Sequence, residues 1–90
     1  MDIHARLTAA GFYRDGNSGS EFYAYDSPRR TGCRVIVSDG DGTLESLSDG
    51  DFVVSWEEPN GDTGREWTQD NYGTLSAALF CAVAGFDIRI

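Results

Sequence analysis

From Asn71 through Phe86 the chain carries no charged residue, and its apolar side chains recur at helical spacing. Leu75, Ala78, Leu79, Ala82, Val83 and Phe86 form one continuous stripe, while Ser76, Ala77, Phe80, Cys81 and Ala84 make up the other face. A helix apolar on all sides must be covered on more than one of them. Thr74, or Asp70 with Asn71, stands where an N-cap is needed. The pattern predicts a helix packed against a sheet and a second helix, with a homodimer as the alternative cover.

The sheet is written upstream as short β-forming runs separated by turn residues. Asp2 can cap a helix whose apolar Ile3, Leu7 and Ala10 lie on one face, and Gly11 is placed to end it. Phe12 and Tyr13 begin a strand that is expected to break in the run Asp15-Gly16-Asn17-Ser18-Gly19-Ser20. Glu21 to Asp26 alternates Phe22 and Ala24 on one face with Tyr23 and Tyr25 on the other. Cys33 to Ser38 is rich in Val and Ile, with Cys33, Val35 and Val37 sharing a face. A weaker strand is expected around Thr43 to Leu47. Phe52, Val54 and Trp56 alternate along a further strand, which returns through the turn Pro59-Asn60-Gly61-Asp62 to Arg65–Thr68.

These elements predict a single α+β domain over residues 1–90. It has a short N-terminal helix, an antiparallel sheet of four or five strands, and a C-terminal helix on one sheet face. Ninety residues bury a modest core, and no apolar run reaches the ~18 residues of a membrane span. With no export signal expected, the implied compartment is the cytoplasm. Cys33 and Cys81 form no metal-ligand pattern and read as small core residues, with a strand-to-helix disulfide left open.

Charge is distributed unevenly. The chain has 15 acids against seven arginines and no lysine, for a net charge of −8. Between Arg34 and Arg65 there is no basic residue, yet Asp39, Asp41, Glu45, Asp49, Asp51, Glu57, Glu58 and Asp62 all fall there. The remaining seven acids equal the arginines in number, so this stretch carries the whole net charge. Acidity of this kind excludes a direct nucleic-acid binder and favours a cationic protein partner. Acids two apart on a strand share a face at about 6.6–6.8 Å, and neighbouring strands lie about 4.7–4.9 Å away. Such a plate would present carboxylates to arginines and lysines arranged for phosphate. Tyr23 and Tyr25 are candidate aromatic anchors beside it.

Catalytic patterns are sparse. Val35-Ile36-Val37-Ser38-Asp39-Gly40-Asp41-Gly42-Thr43-Leu44 resembles the first motif of the haloacid-dehalogenase-type phosphotransferases. That resemblance implies Asp39 as nucleophile, Asp41 as general acid/base and a Mg²⁺ ion between them. It covers ten residues, and the chain lacks both the βαβ alternation and the later Lys that the family uses. An EF-hand register fits from neither Asp39 nor Asp49. The expectation is therefore no enzyme, no cofactor and no metal site.

In size, acidity and α+β pattern the chain resembles the small acidic inhibitors of phages and mobile elements, including the anti-CRISPR proteins. That resemblance implies a DNA-mimic type of inhibitor acting in the host bacterial cell. Its target would be a protein with a basic nucleic-acid-binding surface, such as a Cas effector subunit, met by a monomer or homodimer. The alternative is a non-enzymatic adaptor or antitoxin-like partner that associates through the apolar C-terminal helix.

Overall fold

The computed structural model describes residues 2–85. Phe86, last in the predicted helical stripe, lies outside them. Helix α1 (Ile3–Ala9) begins where the Asp2 carboxylate accepts the Ala5 N–H at 2.7 Å. Gly11, at φ 102°, takes the left-handed turn that releases the chain toward the sheet. Five antiparallel strands follow in the order of the sequence: β1 (Tyr13–Asn17), β2 (Ser20–Asp26), β3 (Arg34–Ser38), β4 (Val53–Glu57) and β5 (Thr63–Thr68). A single turn of helix, α2 (Gln69–Tyr72), leads into α3 (Leu75–Ala82), whose N-cap Thr74 accepts the Ala77 N–H.

Two local expectations need correction. The Gly/Asn/Ser run does not interrupt the first strand; it forms a hairpin with Asn17 paired to Ser20. Gly19, at φ 83°, supplies the backbone angle that a two-residue reversal demands, so the run pairs with itself. Thr43 to Leu47 forms no strand. The N–H groups of Thr43 and Ser46 donate to the Asp39 carboxylate, which takes the donors a ladder would need.

Cross-strand register decides which face is core. Tyr23 faces Val37, Tyr25 faces Val35, Val35 faces Trp56, and Val54 faces both Val37 and Trp67. These residues line one side of the sheet beneath α1, α3 and the long β3–β4 connection. Leu7, Leu47, Phe52, Leu75 and Leu79 are buried against them. Each such side chain contributes about 1.5–3 kcal/mol when fully removed from water. The other side meets solvent and carries Tyr13, Asp15, Phe22, Arg34, Ile36, Ser55 and Glu57.

Helix α3 is not enclosed on all sides. Leu75, Ala78, Leu79 and Val83 are buried, whereas Phe80 is 76% exposed and Cys81 is also exposed. Arg6 reaches Ser76 across the two helices, so α1 flanks α3 without covering its outer side. Both cysteines are free. Among the described residues no helix is long and apolar enough to cross a membrane.

Candidate functional site

Residues 39–52 join β3 to β4 without regular structure, apart from a bridge between Ser48 and Asp51. Five of the eight predicted acids sit on this connection. Its shape is set by Asp39, which is 1% exposed. Asp39 accepts from the N–H groups of Asp41 at 3.0 Å, Thr43 at 2.9 Å and Ser46 at 3.0 Å, and from the Thr43 hydroxyl at 2.6 Å. Burial pushes the Asp39 carboxyl pKa up, but these four donors outweigh it and hold the group at about 2.

Two further carboxylates tie the connection to the rest of the molecule. Asp51 Oδ1 accepts the Gly40 N–H at 2.8 Å, closing the connection on itself. Asp49 Oδ1 accepts the Leu75 N–H at 3.2 Å, supplying one of the acceptors that the first turn of α3 lacks. Asp41 and Glu45 are exposed, and among the described residues their carboxylates accept no hydrogen bond. The result is a fixed anionic loop in which Asp41, Glu45 and Asp49 are exposed and Asp51 is half-buried. Beside it, His4, Arg14, Glu21 and Thr43 to Glu45 line a cavity of about 260 Å³.

The expected plate of eight acids is divided. Val53 and Glu57 lie at opposite ends of β4, four residues or about 13 Å apart. That exceeds the ~8 Å Debye length at physiological salt. Glu57 is on the open sheet face, where Arg34 Nε donates to it at 2.7 Å and Arg34 also pairs with Asp15 at 2.6 Å. Glu58 accepts from the Cys33 thiol and the Trp56 indole N–H and pairs with Arg30 at 3.6 Å. Those contacts hold the Glu58 carboxyl below its ordinary range, the thiol bond first and the indole bond second. Asp62 belongs to the β4–β5 turn and accepts from the Asn60 side chain.

Two more predicted partner residues, Asp39 and Tyr23, are corrected by their burial. Asp39 is interior, so its carboxylate is out of a partner's reach, and both its oxygens are engaged where a nucleophile attacking phosphorus needs one free. Tyr23 is 2% exposed, with its hydroxyl 2.9 Å from His4 Nδ1, because its register opposite Val37 points it into the core. Tyr25 is half-buried against Phe12, with ring centroids 5.3 Å apart. Among the described residues no group of three His, Cys, Asp or Glu side chains is placed to hold a metal ion.

Comparison with protein-family models, curated proteins and solved structures finds no match.

Two groupings had no sequence motif to announce them. One is the Arg34 hub, which joins Asp15 on β1 to Glu57 on β4 and lies 5.5 Å over the Phe22 ring. The other is a pair of indoles: Trp56 and Trp67 flank the Asn60-Gly61 turn and face the same side of the sheet. The positions of 56 and 67 about that turn were the available signal.

Proposed function

We propose that this chain is a non-enzymatic, protein-binding inhibitor of the anti-CRISPR kind. It docks the anionic loop 39–51 on a basic, nucleic-acid-binding surface of a target such as a Cas effector and blocks that surface to DNA. The observation that supports the reading is the prearranged loop. Asp39, Asp49 and Asp51 fix its shape through backbone N–H groups, so the outward carboxylates lose little freedom on meeting arginine forks. The effective surface is accordingly Asp41, Glu45, Asp49 and Asp51. Glu57 and Glu58 are matched by arginines of the chain itself.

The test is the quadruple variant Asp41→Asn, Glu45→Gln, Asp49→Asn and Asp51→Asn, which keeps an amide oxygen wherever a backbone N–H needs one. Binding to a guide-loaded Cas effector is followed by interferometry between about 0.1 M and 1 M salt, where the Debye length falls from ~10 Å to ~3 Å. Wild type should weaken steeply with salt, and the folded variant should bind at least tenfold more weakly at low salt. Unchanged affinity in the variant, or wild-type binding indifferent to salt, rejects the proposal.

A second reading, an adaptor or antitoxin-like partner, rests on Phe80 at 76% exposure on the uncharged outer side of α3. Association by that route would survive 1 M salt and fail in Phe80→Ser.

A further inference from the structure

On the core side of β4 and β5, away from the anionic loop, lies a hollow of about 290 Å³ lined by Arg30, Trp56, Arg65, Trp67, Cys81 and Ala82. Among the described residues that line it, the charged side chains are two arginines, in a chain with more than twice as many acids as bases. Arg30 stands 5.6 Å over the Trp56 ring. Glu58 fixes both, taking the indole N–H at 3.0 Å and pairing with Arg30 at 3.6 Å. Arg65 is exposed and has no carboxylate within ion-pair distance among the described residues. An arginine with no acid beside it among the described residues, at the rim of an aromatic floor, is arranged for a ligand that brings its own negative charge.

We propose that this hollow is a binding site for a small planar anion, an aromatic ring bearing a phosphate or carboxylate group. The ring lies against the indoles, where offset contact of two π-systems is favourable. The acid group meets Arg65, whose planar fork matches both oxyanion geometries. The hollow's volume sits at the bottom of the ~300–1,000 Å³ range of ligand pockets, which limits the occupant to one or two rings. This site is independent of the anionic loop, and each can fail without the other.

The chain has two tryptophans and both line the hollow, so intrinsic emission reads it directly. Phenyl phosphate and benzoate are titrated into the protein, with benzyl alcohol and inorganic phosphate as the separated halves of the ligand. We expect a saturable change with phenyl phosphate, benzoate or both, with a midpoint of about 1 mM or below, which corresponds to roughly 4 kcal/mol. Each half alone should bind at least tenfold more weakly. Whichever anion binds more tightly identifies the acid group. Arg65→Gln, on the surface, should raise the midpoint at least tenfold, and the bound anion should slow alkylation of Cys81 by iodoacetamide severalfold. No saturation with either anion, equal binding of benzyl alcohol, or an unaltered midpoint in Arg65→Gln overturns the assignment.

Discussion

Replacing Asp39 by Asn should unfold this protein at markedly lower temperature, although the change removes a single oxygen's charge. In the native loop the carboxylate receives three N–H groups and one hydroxyl, divided between its two oxygens. Asn keeps one acceptor oxygen, which can still serve Asp41 and Thr43. Its NH₂ group would face the Ser46 N–H donor to donor, and the Thr43 hydroxyl would have to turn from donor to acceptor, so both bonds to the charged oxygen are lost. Losing two hydrogen bonds to a charged group, at about 1.5–3 kcal/mol each, puts the cost near 3–6 kcal/mol. Against a stability of roughly 5–13 kcal/mol for 90 residues, that is a large fraction. It corresponds to a fall in Tm of at least about 12 °C at 4–8 °C per kcal/mol. Asp41→Asn, at an exposed carboxylate two residues away, should stay within about 0.5 kcal/mol of wild type.

The same pair carries a pH signature. Asp39 titrates at about 2 in the folded chain against an ordinary 3.8, so it binds its proton more readily when unfolded. Its ionisation therefore stabilises the fold fully above pH 4, and that contribution disappears as pH falls from 4 toward 2. Allowing for water beside the half-exposed loop, the contribution is about 1–2 kcal/mol. Urea unfolding followed by tryptophan emission and circular dichroism should show the gap between wild type and Asp39→Asn narrowing across that interval. A variant melting within about 2 °C of wild type at pH 7, or a gap that widens on acidification, would refute the account.

Two further outcomes follow from the geometry. Arg34→Ala should cost about 2 kcal/mol, because it leaves the part-buried Glu57 without its cation; a double-mutant cycle with Glu57→Ala should return a coupling near 1 kcal/mol, and zero coupling counts against the pair. Native protein should present one thiol to Ellman's reagent, the exposed Cys81, while Cys33 reacts only on unfolding because burial and the neighbouring Glu58 both raise its pKa; two fast thiols would contradict this.

The fold was largely readable because each element carries its own signal. Asp2 and Gly11 bracket α1, Val35, Ile36 and Val37 make a β-branched run, and Asn60-Gly61 marks the β4–β5 reversal. Local reading failed where the deciding partner is distant or interior. Nothing in the string Thr43 to Leu47 says that its N–H groups belong to Asp39, and only register against Val37 turns Tyr23 inward. The charge asymmetry was visible in the sequence, but its division between two ends of the sheet was not. That division depends on β4 running away from the loop, which separates Glu57 and Glu58 from Asp51. The hollow between Trp56, Trp67, Arg30 and Arg65 needed three separate segments brought together.

Because the strands lie in the sheet in the order in which the ribosome makes them, each finds its mate in the segment just completed. Nearly all the pairing is short-range, the arrangement that lets a β protein fold quickly for its size. Only the 14-residue connection after Ser38 asks for a long closure, and by length alone it costs about 1 kcal/mol more than a four-residue turn. Asp39, at the first position of that span, gathers its backbone into a compact knot, so the segment richest in mutual repulsion is also the one that one carboxylate makes short.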